Sequence, residues 1–168
     1  VDKEIDLKKA ASLSGNKKLV NNYYGYERSM PVFFSDDDNR FDDKYDDLDE
    51  LYNVVNHELA HASHFTRVGR DYWDTYIRYI IESFVMTGGM DYGDGTTDGA
   101  GHCEVGEMWA YYLESKMYKE RYGGSVPTFG SSYWFYPQIF RYLDERGLTR
   151  SDIFSVLEGN IASKTDLK

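Results

Sequence analysis

Apolar residues recur along most of the chain at helical rather than strand spacing. From Asp47 to Val68, the residues Leu48, Leu51, Val55, Leu59 and Ala62 return every three or four positions, which predicts a helix with one apolar stripe, and Gly69 stands where its C-terminal cap belongs. Asp71 to Thr87 predicts a second helix. Tyr72, Trp73, Tyr76, Ile77, Tyr79, Ile80, Ile81, Phe84 and Val85 make it apolar nearly all round, so burial on most sides is expected, with Gly88 and Gly89 as its stop. A third helix follows from Glu104 to Tyr122, where Val105, Met108, Trp109, Tyr112, Leu113 and Met117 are apolar and Gly123 and Gly124 end the pattern. Two short helices, Phe135 to Arg146 and Ser151 to Leu157, are expected around the turn Gly147-Leu148-Thr149.

Between the second and third helices, Gly88 to Gly101 is too rich in glycine and aspartate for a regular element and reads as a loop. The best strand candidate is the apolar run Met30 to Phe34, bounded by Pro31 and by Asp36, Asp37 and Asp38; residues 1–30 have no clear period and predict irregular chain with at most one short helix. The expected fold is therefore mainly α, an α+β domain with at most a small sheet. No Pro/Gly/Ser linker and no internal repeat divide it, so residues 1–168 read as one domain, and the polar end from Asn160 to Lys168 is compatible with a piece of a longer chain.

Composition narrows the function classes. The chain is 41% hydrophobic and 17% aromatic, which is enough to build a core, and its formal net charge of −10 lacks the basic footprint that nucleic acid or an anionic membrane surface requires. No apolar run reaches the length of a membrane span, and Val1 to Lys9 has no signal-peptide pattern. Cys103 is the single cysteine and excludes an internal disulfide. The acidic run from Asp36 to Glu50 lacks the spacing of a calcium loop and reads as a solvated approach to the first helix, while Asp91, Asp94 and Asp98 read as a flexible loop.

The chemistry lies in the first helix, in His57-Glu58-Leu59-Ala60-His61. Residues i and i+4 share a helix face about 6 Å apart along the axis, so two imidazoles can converge on one ion. Zinc takes such neutral nitrogens at about 2.0–2.1 Å. Glu58, beside the first ligand, is placed to take a proton from the metal-bound water. A catalytic zinc needs a third protein ligand. His64 lies about 10.5 Å along the axis from His57, too far to share a tetrahedral ion with it, and is expected at the rim or behind a ligand. Glu107 is the better candidate, with Glu104 one turn earlier as the other. Either carboxylate can face the metal while its neighbour supports a ligand histidine; Asp98 is a remote third choice. Tyr111, Tyr133 and Tyr136 are candidates to donate to the oxyanion formed in peptide hydrolysis.

The string NHELAHASHF, followed by Glu107-Met108-Trp109-Ala110 on a later helix, resembles the gluzincin group of zincin peptidases and, in particular, short HELAHASH-containing domains of secreted Bacteroidota proteins. The resemblance covers the two motif-bearing helices well and the remainder loosely. It implies a zincin-like catalytic domain that binds one Zn2+ through His57, His61 and Glu107, uses Glu58 as general base, hydrolyses a peptide or protein substrate and works outside the cytoplasm. The metzincin pattern is excluded, since it needs glycine where His64 stands and histidine where Arg67 stands. The thermolysin-type NExxSD string is absent, and Gly95-Thr96-Thr97-Asp98 falls one residue short of the aspzincin GTxxD. A substrate peptide is expected to add to the edge of the Met30 to Phe34 strand. The rival expectations are a non-catalytic binding domain on the same scaffold and a zinc hydrolase acting on another bond.

Overall fold

A computed structural model describes residues 48–88 and 92–167. These residues form five α-helices, α1 (Leu48–Val68), α2 (Arg70–Met86), α3 (Ala100–Tyr122), α4 (Gln138–Glu145) and α5 (Arg150–Ser155), with a closing 3-10 helix at Lys164–Leu167. There is no strand among the described residues. The strand expected at Met30 to Phe34, its role in seating a peptide, and the acidic approach to the first helix as far as Asp47 lie outside them. No described helix is long and apolar enough to cross a membrane.

Helix α3 is the centre of the arrangement. It packs mainly on α1, with α2 along its first half and α4 against its second. Two aromatic-rich clusters result. One joins Ala60 of α1 to Val105, Met108 and Trp109 of α3 and to Phe135, Phe140, Ile153 and Leu157 beyond it; the other joins Phe65 to Tyr72, Trp73, Tyr76 and Tyr79 of α2 and to Cys103. The reversal between α1 and α2 takes one residue. Gly69, at φ 83°, returns its N–H to the Phe65 carbonyl at 2.8 Å, a conformation that side chains resist.

Four expectations need correction. Helix α3 begins at Ala100 rather than Glu104, because Gly101 marks a close approach and not a loop: a Cβ there would lie 1.9 Å from the Ala162 carbonyl oxygen. Helix α2 is not buried all round: Tyr72, Trp73, Tyr76, Tyr79 and Ile81 are buried, but Val85 and Met86 in its last turn are exposed. The buried face of α1 is not the predicted apolar stripe. Leu59 is 58% exposed, whereas His57, Ala60, His61, His64 and Phe65 turn inward. The short C-terminal helices are also trimmed at their ends. α4 starts after Pro137, and α5 starts behind Thr149, whose hydroxyl accepts from the Asp152 N–H while the Asp152 carboxylate accepts from the Thr149 N–H in a reciprocal cap.

Candidate metal centre

Helix α1 carries His57 and His61 on the side that meets α3, with Ala60, 1% exposed, buried on that side as well. Their Nε2 atoms approach to 3.1 Å. Glu107, 1% exposed on α3, closes the triangle: Oε2 lies 3.4 Å from His57 Nε2, and Oε1 lies 3.5 Å from His61 Nε2. Among the described residues these three form the group able to hold a metal ion, one ligand atom from each lying within 4.8 Å of the others.

The donor set fits a metal on two counts. A four-coordinate ion with bonds of about 2.0–2.1 Å sets its ligand atoms roughly 3.3 Å apart, close to the 3.1 Å between the two Nε2 atoms and the 3.4 Å from His57 Nε2 to Glu107 Oε2. The carboxylate is also divided: Oε1 accepts a hydrogen bond from the Tyr76 hydroxyl, while Oε2 is buried without a hydrogen bond and faces His57 Nε2 at 3.4 Å, where a cation between the two atoms would be held by both.

Electrostatics point the same way. Burial pulls the His57 imidazole down, but the adjoining carboxylates of Glu107 and Glu114, with Glu58 contributing charge, outweigh it and raise its pKa to about 10. His61 is lowered to about 4 by burial, opposed by Glu107 and reinforced by the charge on His57. Burial alone would raise the Glu107 carboxyl, yet His61, His57 and the Tyr76 hydroxyl hold it below the usual range. Without a metal the cluster therefore keeps one proton on His57 and a neutral His61 beside an ionised Glu107, so positive charge is already drawn to the place a metal would occupy.

No family model, characterised protein or solved structure matches the chain.

The other candidates separate clearly. Glu58 is half-buried next to His57 and near enough for its charge to act on that imidazole. Glu104 belongs to the C-terminal segment: its carboxylate accepts from the Lys164 backbone N–H at 3.0 Å and pairs with Lys164 Nζ at 2.5 Å. Glu104→Ala is expected to lower stability by about 1–3 kcal/mol in urea unfolding, because Lys164 N–H and the Glu104 surroundings lose a buried acceptor, while metal content stays unchanged. His64 is not at the rim. It is fully buried against Tyr72 and Trp73 with no hydrogen bond at either ring nitrogen, and burial, aided by His61 and His102, lowers its pKa to about 3, so it is a neutral core group. Asp98 is exposed and acts on His102.

Of the three tyrosines, Tyr111 is brought to the centre, its ring edge-on to His57 at 4.4 Å. Tyr133 is one ring further out, against Tyr111 and Tyr92, and Tyr136 is 45% exposed beneath Lys164 Nζ. Tyr92 holds a positive φ of 63°, unlike any other non-glycine among the described residues, with its carbonyl accepting from the Tyr79 hydroxyl and Trp134 Nε1.

Two contributors were missed in the sequence. Glu114 reaches His57 Nδ1 at 3.0 Å, fixing the ring so that Nε2 faces the cluster. It lies two helical turns past Glu107 on the same face of α3, a signal that seven-residue spacing offered. Tyr76 had no such signal, since its period on α2 reads only as packing. Glu114→Gln, which keeps the shape and loses the charge, is expected to weaken zinc affinity about 10–100-fold in competition with a chelating dye.

Proposed function

We propose that the chain is a zinc-dependent peptidase with a zincin-like architecture, and the convergence of His57 and His61 from α1 with Glu107 from α3 is the observation that carries the reading. A Zn2+ held by these three residues supplies a Lewis acid that brings the pKa of water to about 7 and polarises a carbonyl. Glu58 takes the proton of the attacking water and passes it to the leaving amine, for which its place beside His57 and its partial exposure suit it. Tyr111, held against His57, offers a phenolic O–H to the oxygen on which negative charge develops. Burial keeps that phenol protonated, the more so beside the charge of Glu107. Glu114 orients His57 throughout. The likeness of NHELAHASHF and the Glu107-bearing segment to gluzincins supports a peptide or protein as substrate and a site of action outside the cytoplasm.

The test is cleavage of a diverse peptide library, followed by mass spectrometry, by protein loaded with one equivalent of zinc, before and after removal of metal by a chelator. Cleavage that stops on chelation and returns with zinc is expected. A protein that holds zinc and cleaves no peptide would move the reading to a hydrolase of another bond or to a binding domain on this scaffold.

A further inference from the structure

The hydrogen bond from Tyr76 to Glu107 splits a carboxylate into two unlike oxygens. Tyr76 comes from α2 and Glu107 from α3, so the contact links two helices that pack on one another. The tyrosine ring is fixed by its neighbours: it packs edge-on to Trp73 at 4.5 Å and lies tilted beside His61 at 6.1 Å. An ionised carboxylate has no proton to give, so in this contact the Tyr76 hydroxyl is the donor. Oε2, by contrast, is buried with no hydrogen bond.

We infer that Tyr76 is a positioning residue that makes Glu107 a one-oxygen metal ligand, occupying Oε1 and leaving Oε2 to the metal, and thereby keeps a coordination position open for substrate. The inference rests on the metal reading given above. Its physical basis is the cost of a bare carboxylate oxygen. In Tyr76→Phe the aromatic packing remains, but Oε1 is left buried without a donor, and the nearest available positive charge is the metal. Glu107 then binds through both oxygens, raising the coordination number and crowding the open position.

Cobalt(II) reports this without any assay of activity, since four-coordinate cobalt absorbs visible light far more strongly than cobalt with more ligands. The full chain and Tyr76→Phe are each loaded with one equivalent of Co2+, and their visible spectra and metal content are compared. The wild type is expected to give the intense four-coordinate band, and Tyr76→Phe is expected to hold the same one equivalent with a weaker, shifted band. Equal spectra from the two proteins, each with one equivalent bound, would overturn the inference, as would a variant that simply loses cobalt in proportion to its signal. A wild-type chain that takes up no cobalt and no zinc overturns the metal reading itself, a result seen without the variant and so distinguishable from failure of the role given to Tyr76.

Discussion

Glu58→Gln is expected to slow peptide hydrolysis by about 10²–10⁴-fold while leaving zinc content at one per chain, measured as turnover and elemental analysis of the same preparation. Glutamine has the same length and shape as glutamate but cannot accept a proton near neutral pH, so the substitution removes one chemical step and little packing, Glu58 being half-buried. The metal triangle contains His57, His61 and Glu107 and does not include Glu58. The charge of Glu58 helps to raise the pKa of His57. Losing that charge makes the imidazole easier to deprotonate, which eases metal uptake rather than hindering it. A fall in zinc content in parallel with activity would therefore mean that Glu58 holds the metal. Unchanged turnover with zinc present would remove it as the general base.

The helices were legible in the sequence because their ends are marked by glycines whose backbone is special, at Gly69 and Gly123. The orientation of α1 was not, although its period was. Leu59 and Val55 satisfy an apolar stripe by residue type, yet the face that turns inward carries three histidines, two of which face buried carboxylates on α3 while the third is sealed among the rings of Tyr72 and Trp73. Polarity scales place histidine outside; a partner helix that supplies Glu107 and Glu114 reverses the preference, because a buried polar group is tolerated where it is paired. The same lesson applies to the start of α3. Glycine at positions 99 and 101 resembles loop composition, but Gly99 takes the left-handed conformation just before the helix and Gly101 is required by the Ala162 carbonyl, a contact sixty-one positions away that no local pattern encodes. Glu107 was legible as a candidate because a carboxylate amid apolar helix needs a reason. Choosing it over Glu104 from the residues alone was not possible, since the decisive fact is that Lys164 claims Glu104.

His61→Ala is expected to abolish stoichiometric zinc binding at neutral pH, with a loss of affinity larger than the roughly 10–100-fold expected for a residue that only orients a ligand. His61 offers the metal a neutral nitrogen at no protonation cost, its pKa being held near 4 by burial first. His57 is the opposite case. Its imidazole, raised to about 10 by Glu107, Glu114 and Glu58 against the pull of burial, carries a proton at neutral pH that zinc must displace. Below that value one proton leaves for each zinc bound, so the apparent affinity of the wild type should rise by about tenfold per pH unit from roughly pH 5 to 9, with one proton released per zinc in calorimetry across buffers of different ionisation enthalpy. Removing His61 leaves only the ligand that has to give up a proton and a carboxylate that already pairs with it, and two ligands do not define a tetrahedral site. His64→Ala is the matched control. It deletes a fully buried imidazole from the core and should lower stability, but it should keep one zinc per chain, because neither nitrogen of that ring belongs to the metal triangle. Retention of zinc by His61→Ala together with its loss from His64→Ala would place the metal on a different pair of histidines and undo the assignment of Glu107 as the third ligand.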